Sequence, residues 1–424
     1  MSSTTKLNYV KYVYDNIHGN IGITETELKI IDTKVFQRLH RIKQLGPANM
    51  VYPGATHSRF AHSLGAMFVM EQYLQQVKHD GASIADSEEE RQKLRLAALL
   101  HDVGHYPFSH SLEMPIIEKF KGHKHEDHSI NIIKNILKDN LDTYKPTEIT
   151  DIIERKVANS IYSTLISSEM DVDKTDYLQR DSYHTGVGYG NVDVARLLRT
   201  LSFDKEGNIL FEKSGPVIEN FLLGRYHMFQ AVYTHKVVIA LELMIEKIYT
   251  LLVEQNEIIH PSEILKADDE LKLSMFNDDY IWNNMFKYYV KKSGYLKDLI
   301  SDVLQREPIK LSVRKASSIA KDEPLPDDWK KILLVKEDAS KKQELVKNAG
   351  SIDPDWVFIY IQPKPISVIP DDIQINVKTN DGVIPLSEDK TLAIHKLVNL
   401  NFYDSRIYAK SDYSGQVSKA FDQI

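Results

Sequence analysis

Apolar residues recur every three or four positions through most of the first 300 or so residues of this 424-residue chain. This is the spacing of amphipathic α-helices, in which one face packs against a core. Clear examples are residues 36–45, 64–77, 94–100 and 130–137, and the longest predicted helix covers about 221–254. The pattern predicts a mainly α protein, with the apolar stripe of the longest helix inside the core.

The pattern changes near residue 320. The segment EPLPDD at 323–328 contains two prolines and a run of acids, which predicts a linker or loop. Beyond it we expect strands around a helix near 391–400. The predicted strands are 356–362, 373–379, 383–386 and 406–410, with a turn at 380–382. We therefore expect a helical domain over 1–320 and a small α+β lobe over 321–424.

Composition restricts the chemistry that such a fold can carry. The formal net charge is −7 and the chain contains no cysteine, so disulfides and thiolate nucleophiles are excluded and any metal needs nitrogen and oxygen ligands. No apolar run reaches the ~18 residues of a membrane span, and the first residues lack the apolar core of a signal peptide. We expect a cytoplasmic protein without a membrane partner. The mildly acidic balance argues against a protein that coats nucleic acid.

Histidines are concentrated in one part of the chain, with nine of the 16 between residues 57 and 128. Histidine is the usual nitrogen ligand and the usual acid or base at neutral pH. At the centre is LAALLHDVGHYPFSHSLE (96–113), where an apolar run ends at His101 and Asp102. An imidazole and a carboxylate from one helix end can share a divalent metal such as Mn, Fe, Mg or Zn. The pair His79-Asp80, in a polar stretch, is assigned no function.

Two more stretches carry charged residues of the same kind. Upstream, HSRFAHSLG (57–65) places His62 at the start of a helix with Arg59 one turn before it, and a guanidinium beside a metal ligand indicates a phosphorylated substrate. Downstream, MDVDKTDYLQRDS (170–182) collects four aspartates with lysine, arginine and tyrosine. Taken alone, this last stretch could also be a solvated helix face.

These stretches, in this order, resemble the HD-domain phosphohydrolases, an all-helical superfamily that binds one metal through a histidine, a His-Asp pair and a distant aspartate. The narrower resemblance is to the deoxynucleoside triphosphate (dNTP) triphosphohydrolases. It rests on FQRLHRIKQLG (36–46), VYPGATHSRFAHSLG (51–65), HDVGHYPFSH (101–110), HEDHS (125–129), DVDKTDYLQRD (171–181) and the helix at 225–236. The motifs cover much of residues 11–236, with an HD core at about 50–185.

The resemblance implies roles for individual residues. The implied metal ligands are His62, His101, Asp102 and Asp173. The residues implied for acid–base work are His105, His110, His125 and Glu126. The residues implied to bind substrate are Gln44, Leu45, Arg59, Lys174, Tyr177, Asp181, Arg225 and Tyr233. Packing behind the site remains the alternative for the histidines, and salt bridging for the three cations.

Within the implied substrate site, Arg59, Lys174 and Arg225 match a phosphate clamp. Tyr177 and Asp181 match the sugar contacts, as do Gln44 and Leu45. A tyrosine ring under C2′ would exclude a 2′-hydroxyl and so prefer deoxynucleotides. Base preference does not carry over from the family, because the residue after the base-contacting Tyr233 is Thr234, where the family's mammalian enzyme, a dNTP triphosphohydrolase, has glutamine.

The resemblance also implies regulation, by a dNTP activator acting on a homodimer or homotetramer. The positions that match the family's allosteric apparatus are Asp32, Gln37, Arg196, His235 and Lys236, of which the last two could equally be surface residues of an amphipathic helix. However, His40 and Tyr14 stand where the mammalian enzyme has arginine and asparagine, so guanine-nucleotide activation is not expected.

The function implied is metal-dependent attack of water at the α-phosphorus of a dNTP, which gives a deoxynucleoside and inorganic triphosphate. One alternative is an HD-type phosphatase or phosphodiesterase for nucleoside monophosphates or signalling nucleotides, which would not need Lys174 and Arg225. Another is a nucleic-acid-binding protein with a residual HD fold; otherwise nucleic acid would be a secondary partner. The complete ligand set and the negative net charge favour the enzyme.

Overall fold

The computed structural model describes residues 7–79, 82–85, 87–211, 215–266, 269–368, 375–379 and 382–424. Most of this part of the chain is helical, which confirms the mainly α prediction. None of the helices found within these ranges is both long and apolar enough to cross a membrane. Asp80, the side chain of His79 and residues 373–374 and 380–381, which carried predictions, lie outside the description.

The amino-terminal part starts with a hairpin of β1 (Lys11–Asp15) and β2 (Gly19–Ile23). Its first helices are α1 (Glu25–Ile31), α2 (Lys34–Gln37) and α3 (Arg59–Gln76). A short hairpin of β3 (Lys78–His79) and β4 (Ala82–Ser83) follows. The next helices are α4 (Glu88–Leu100), α5 (Glu113–Glu118), α6 (His125–Asn135), α7 (Pro146–Ile153), α8 (Ser160–Ile166), α9 (Val172–Thr185) and α10 (Val194–Thr200).

The middle of the chain contains the antiparallel strands β5 (Leu201–Phe203) and β6 (Ile209–Phe211). Its helices are α11 (Gly215–Met228), α12 (Lys236–Glu254), α13 (Pro261–Ile264), α14 (Glu270–Met275), α15 (Asp278–Lys291) and α16 (Tyr295–Leu304). The last elements are β7 (Lys310–Ala320), α17 (Asp327–Glu337), α18 (Ala339–Asn348), β8 (Val357–Ile361), β9 (Ile366–Ser367), β10 (Ile375–Thr379), β11 (Gly382–Pro385), β12 (Leu400–Ala409) and α19 (Ser414–Phe421).

Capping residues fix where the helices of the site begin. The side chain of Ser58 accepts a hydrogen bond from the backbone N–H of Ala61 at the start of α3. Asp171 accepts one from the N–H of Lys174 at the start of α9, with a distance of 2.7 Å. Such caps satisfy backbone donors that have no partner inside the helix. Because α3 packs against both α4 and α9, the capped ends meet in one place.

Two predicted helices differ from the structure. The helix over 36–45 is only α2 followed by a 3₁₀ turn at Arg38–Arg41, because the next backbone donors have distant partners: the N–H of Lys43 bonds Asp278 and that of Gln44 bonds His57. The helix over 221–254 is broken between α11 and α12 by a π-helical turn at Phe229–Tyr233. Its apolar stripe is buried as predicted, which is why periodicity did not reveal the break.

The carboxy-terminal lobe contains a sheet of order β7-β12-β8, with β9 pairing to the first residues of β12. β7 precedes residue 321 and pairs antiparallel with nearly the whole of β12, so this sheet spans the predicted domain boundary. Strands β10 and β11 belong to another sheet, of order β11-β10-β6-β5. The boundary itself stays a prediction.

The helix predicted near 391–400 is wrong. Those residues form a short 3₁₀ turn at Ala393–Lys396 and then enter β12 at Leu400. Ile394 is fully buried, and its backbone N–H donates to Glu219 of α11 at 2.7 Å. This contact with a distant helix outweighs the local helical spacing.

Candidate metal and active site

Three helix ends bring the predicted metal ligands together. His62 and Asp173 lie in the first turns of α3 and α9, and His101 and Asp102 directly follow α4. Asp173 Oδ1 is 3.0 Å from His62 Nε2 and 3.6 Å from His101 Nε2. Asp102 Oδ1 is 3.6 Å from His101 Nε2, and its Oδ2 is 3.7 Å from His62 Nε2. We call these four residues the metal cluster.

The two histidines of the metal cluster are held with one nitrogen free. His62 Nδ1 is 2.8 Å from Asp176 Oδ2, and His101 Nδ1 is 2.7 Å from the carbonyl oxygen of Ala98. Since both acceptors favour a proton on Nδ1, Nε2 is the nitrogen of each ring that can ligate a cation. Both Nε2 atoms are buried and make no hydrogen bond within the described part of the chain. Buried nitrogens without a hydrogen bond, beside two carboxylates, fit a divalent cation.

The carboxylates and imidazoles of the metal cluster strongly shift one another's pKa values. Burial opposes a charge on His62, but Asp173 and Asp176 raise its pKa to about 10, so a cation bound at its Nε2 would displace a proton. Burial also opposes a charge on Asp102, but His101 and Arg59 lower its pKa to about 2. The carboxylates are therefore ionised at neutral pH, which is the state that binds a cation.

The histidines predicted for acid–base work lie beside Asp102. The rings of His105 and His125 stack with centroids 3.9 Å apart, and the His110 ring meets the His125 ring edge-on at 5.3 Å. His105 Nε2 and His125 Nε2 are 3.7 and 3.8 Å from Asp102 Oδ1. His105 is buried, whereas the His110 side chain is 67% exposed. We call these three residues the histidine array.

The surroundings of His105 and His125 displace the pKa values of these two histidines in opposite directions. Burial and the charge of Arg59 hold the pKa of His105 well below its usual value, so this imidazole is neutral. Burial also disfavours charge on His125, but the hydrogen bond to Glu113 and the charge of Asp102 raise its pKa. Neighbouring groups with pKa values displaced in opposite directions are the arrangement used by acid–base sites.

Glu113, which opens α5, was missed by the sequence analysis. Its Oε1 is 2.7 Å from His125 Nδ1, and its Oε2 is 3.1 Å from His110 Nδ1. Burial alone would raise its pKa, but the bonds to these two histidines lower it, so the carboxylate is charged. The predicted Glu126 is less engaged: its side chain is 59% exposed and lies 3.4 Å from His125 Nδ1. The spacing His-x-x-Glu in HSLE was the available signal.

The predicted sugar and base residues also lie together. Asp181 Oδ1 is 2.7 Å from His57 Nε2, and the Tyr233 hydroxyl donates to Asp181 Oδ2 at 2.7 Å. The ring of Tyr177 meets that of Tyr233 edge-on, with centroids 6.2 Å apart. Gln44 is joined to this region through its backbone N–H, which donates to the His57 carbonyl at 3.0 Å, and Leu45 beside it is half-buried. We call Tyr177, Asp181 and Tyr233 the tyrosine–aspartate group.

Each predicted phosphate-binding cation is paired with an acid. Arg59 donates to Asp102 and, at 2.8 Å, to the Ser109 hydroxyl. Lys174 Nζ lies 2.8 Å from Asp171 Oδ2; burial opposes its charge, but Asp171 raises its pKa.

Arg225 Nη2 lies 2.9 Å from Glu169 Oε2. The side chains of Lys174 and Arg225 are 21% and 16% exposed, so both are partly accessible to solvent.

The predicted regulatory residues lie outside the metal cluster. Most are exposed: Asp32, Gln37, Arg196 and Lys236. His235 is the cap of α12 and accepts from the N–H of Val237. His40 stacks on Phe60 with ring centroids 3.6 Å apart. Their regulatory role stays a prediction.

The helical fold and the donor set of histidines and aspartates define a metal-binding HD phosphohydrolase. Residues 59–181 match the HD domain and residues 192–424 match the HD associated region, and the chain belongs to this HD-domain family.

Similar proteins come from all domains of life. An uncharacterized protein of Methanocaldococcus jannaschii is 40% identical over 242 residues, which is 56% of this chain and 49% of the relative. The deoxynucleoside triphosphate triphosphohydrolase SAMHD1 homolog of Dictyostelium discoideum is 34% identical over 281 residues, 62% of this chain and 54% of the relative. The chain thus spans about half the length of these curated relatives.

A solved structure is similar over nearly the whole chain. The phosphohydrolase of Bacteroides thetaiotaomicron superposes with a TM-score of 0.73 at 27% identity, covering 93% of this chain and 99% of that one. The carboxy-terminal lobe is therefore part of the shared fold.

Proposed function

We propose that this protein is a metal-dependent dNTP triphosphohydrolase, in which water attacks the α-phosphorus and the products are a deoxynucleoside and inorganic triphosphate. The observation that carries the proposal is the surroundings of Tyr177. Its hydroxyl lies in the field of two cations, Lys174 and Arg225, and of the carboxylates of Asp173 and Asp171. A sugar-sized aromatic surface is thus adjacent both to the metal cluster and to two cationic side chains. A monophosphate substrate would not need contacts to these two cations.

The metal cluster supports a divalent ion, and Mn, Mg, Fe and Zn all accept its nitrogen and oxygen donors. Bound there, such an ion would polarise a phosphoryl group. His62, His101, Asp102 and Asp173 would hold it.

The histidine array supports proton transfer at the leaving oxygen. His125 is oriented by the charged Glu113 through Nδ1, so its Nε2 faces Asp102. His110 is oriented by the other oxygen of the same carboxylate. An imidazole held in place by a carboxylate is a positioned general acid, and such groups typically contribute about 10²–10⁴-fold to a rate.

The tyrosine–aspartate group supports a deoxyribose substrate. The Asp181 carboxylate is the acceptor that a sugar hydroxyl requires, and the Tyr177 ring would crowd a 2′-hydroxyl. A sugar-binding role also agrees with the relative from Dictyostelium discoideum, which is a deoxynucleoside triphosphate triphosphohydrolase SAMHD1 homolog. By the same analogy we propose a dNTP activator and a homo-oligomer.

The test is separation of reaction products by anion exchange. The protein is incubated with Mn²⁺ or Mg²⁺ and each dNTP, singly and in mixtures, with the Asp173→Ala variant as the control for contaminating phosphatases. We expect deoxynucleoside and intact triphosphate, and turnover confined to mixtures would identify a dNTP activator. Release of orthophosphate or pyrophosphate would contradict the proposal and favour the phosphatase alternative.

A further inference from the structure

Asp176 is a fully buried carboxylate that connects the metal cluster to the amino-terminal hairpin. Its Oδ2 accepts from His62 Nδ1 at 2.8 Å, and its Oδ1 is 2.6 Å from His18 Nε2. Arg180 adds two bonds of 2.9 Å, one to each oxygen. The orientation of the metal ligand His62 therefore depends on a carboxylate that two other side chains, His18 and Arg180, hold.

His18 reaches Asp176 from the turn between β1 and β2. Asp15 fixes this turn by accepting from the backbone N–H groups of Ile17 and His18, both at 2.9 Å. Asp15 also accepts from Arg180 Nη1 at 2.9 Å. The His18 side chain is only 8% exposed, and its ring stacks on Phe68 of α3 with centroids 4.9 Å apart. The turn is thus docked both on the Asp176 carboxylate and on the helix that carries His62.

Gly65, three residues after His62, shows how closely this assembly is packed. A Cβ atom at Gly65 would lie 1.9 Å from Asp176 Oδ1 and 2.4 Å from Arg180 Nη2. Only glycine therefore lets the carboxylate lie against α3, within reach of both His62 and His18. The close contact between Asp176 and α3 therefore depends on the absence of a side chain at Gly65.

We propose that His18 is a positioning residue for the metal: it holds Asp176, Asp176 orients His62, and docking of the hairpin thereby sets the affinity of the metal cluster for a divalent ion. Carboxylates and other groups behind a metal-ligating histidine fix its tautomer and orientation, and changing them typically weakens metal binding roughly 10- to 100-fold. His18 lies one bond further out, but its contact is buried and short.

Mn²⁺ titration of the full chain, followed by the electron paramagnetic resonance signal of free Mn²⁺, tests this inference. His18→Leu removes the donor to Asp176, and we expect Mn²⁺ to bind roughly tenfold more weakly. His18→Gln places an amide N–H near the position of Nε2 and should recover most of the affinity. Asn16→Ala is the matched control, because Asn16 is exposed in the same turn and its side chain bonds His184. It should bind Mn²⁺ as the unchanged protein does.

Wild-type affinity in His18→Leu, or equal weakening in His18→Leu and His18→Gln, would overturn the proposal. If circular dichroism shows that the leucine variant is unfolded, the comparison passes to His18→Asn and His18→Gln. Asparagine is too short to reach Asp176, so it should bind Mn²⁺ more weakly than glutamine, and equal affinities would again overturn the proposal. The titration needs no nucleotide, so its outcome is independent of whether the protein hydrolyses a dNTP.

Discussion

The metal cluster and the tyrosine–aspartate group lie side by side, but different parts of the chain build them. The cluster comes from the ends of α3, α4 and α9, and its orienting partners all lie before residue 185. Tyr233, in contrast, ends a π-helical turn whose following carbonyl, that of Thr234, accepts from Arg406 Nη2 of β12 at 2.7 Å. The metal cluster is thus built by the helical part alone, whereas the position of Tyr233 also depends on the carboxy-terminal lobe.

A second bond strengthens the link to the lobe. The hydroxyl of Tyr408, also on β12, donates to the carbonyl of Lys236 at 3.0 Å. Together the two bonds attach the segment where α12 begins to β12. The comparison shows that neighbouring parts of one site can depend on different regions of the chain: the metal cluster on nearby helices, and Tyr233 on a distant strand.

The largest expected effect comes from breaking the metal cluster itself. Asp173→Ala removes the carboxylate 3.0 Å from His62 Nε2. We expect turnover to fall about 10³-fold or more, because a bound ion supplies several kcal/mol of transition-state stabilisation. Product chromatography and measurement of bound metal check this. Asp139→Ala, at an exposed aspartate outside the cluster, is the control; full activity in Asp173→Ala would refute the ligand assignment.

Glu113→Gln tests whether the histidine array works separately from metal binding. Loss of the charge between His110 and His125 should lower kcat about 100-fold, because acid–base groups of this kind contribute at least that much. Mn²⁺ affinity should be nearly unchanged. Glu126→Gln, at the exposed neighbour, is the matched control and should change kcat much less. If the two variants lose equal activity, the closer contacts of Glu113 with His110 and His125 do not contribute to catalysis.

Tyr177→Ala tests whether the tyrosine–aspartate group selects the sugar of the substrate. Removing the ring should raise the ratio of ribonucleotide to deoxynucleotide kcat/KM about tenfold, since a steric contact of this kind is worth about 1–3 kcal/mol. Tyr183→Ala, at an exposed tyrosine on the same helix, should leave the ratio as it is. An unchanged preference in Tyr177→Ala would count against a sugar-selecting role.

Arg406→Lys should have the smallest effect, and it tests most directly whether substrate binding and metal binding depend on different regions of the chain. Lysine keeps the charge beside Asp404 but cannot reproduce the planar donor set that also reaches Thr234. We expect the KM for a dNTP to rise about fivefold, the cost of one hydrogen bond, while Mn²⁺ affinity stays constant. If metal affinity falls in step with KM, the two regions are not separable.

The site residues that the sequence implied lie in short motifs shared with the family, and the roles of these residues stay predictions. His62, His101, Asp102 and Asp173 each occur where a helix begins or ends, and the structure places the capping residues Ser58 and Asp171 a few positions from His62 and Asp173. The helical class was predictable for the same reason, because a period of 3.6 residues is a local property.

The parts that sequence did not predict depend on contacts between distant residues. The bond between His18 and Asp176 joins residues 158 positions apart, and no local pattern announces it. The false helix near 391–400 has the same cause, a bond from Ile394 to Glu219 that is 175 positions away. The spacing between His110 and Glu113 could be seen in the sequence, but the role of Glu113 also depends on His125, which α6 brings next to it.

The bond from Arg406 to Thr234 also sets an order of assembly during synthesis. Thr234 leaves the ribosome 172 residues before the side chain that holds its carbonyl. At about 5–20 residues per second this is a delay of roughly ten to thirty seconds, during which all four metal ligands are already available. The four residues of the metal cluster thus leave the ribosome before the bond that holds the end of the π-helical turn can form.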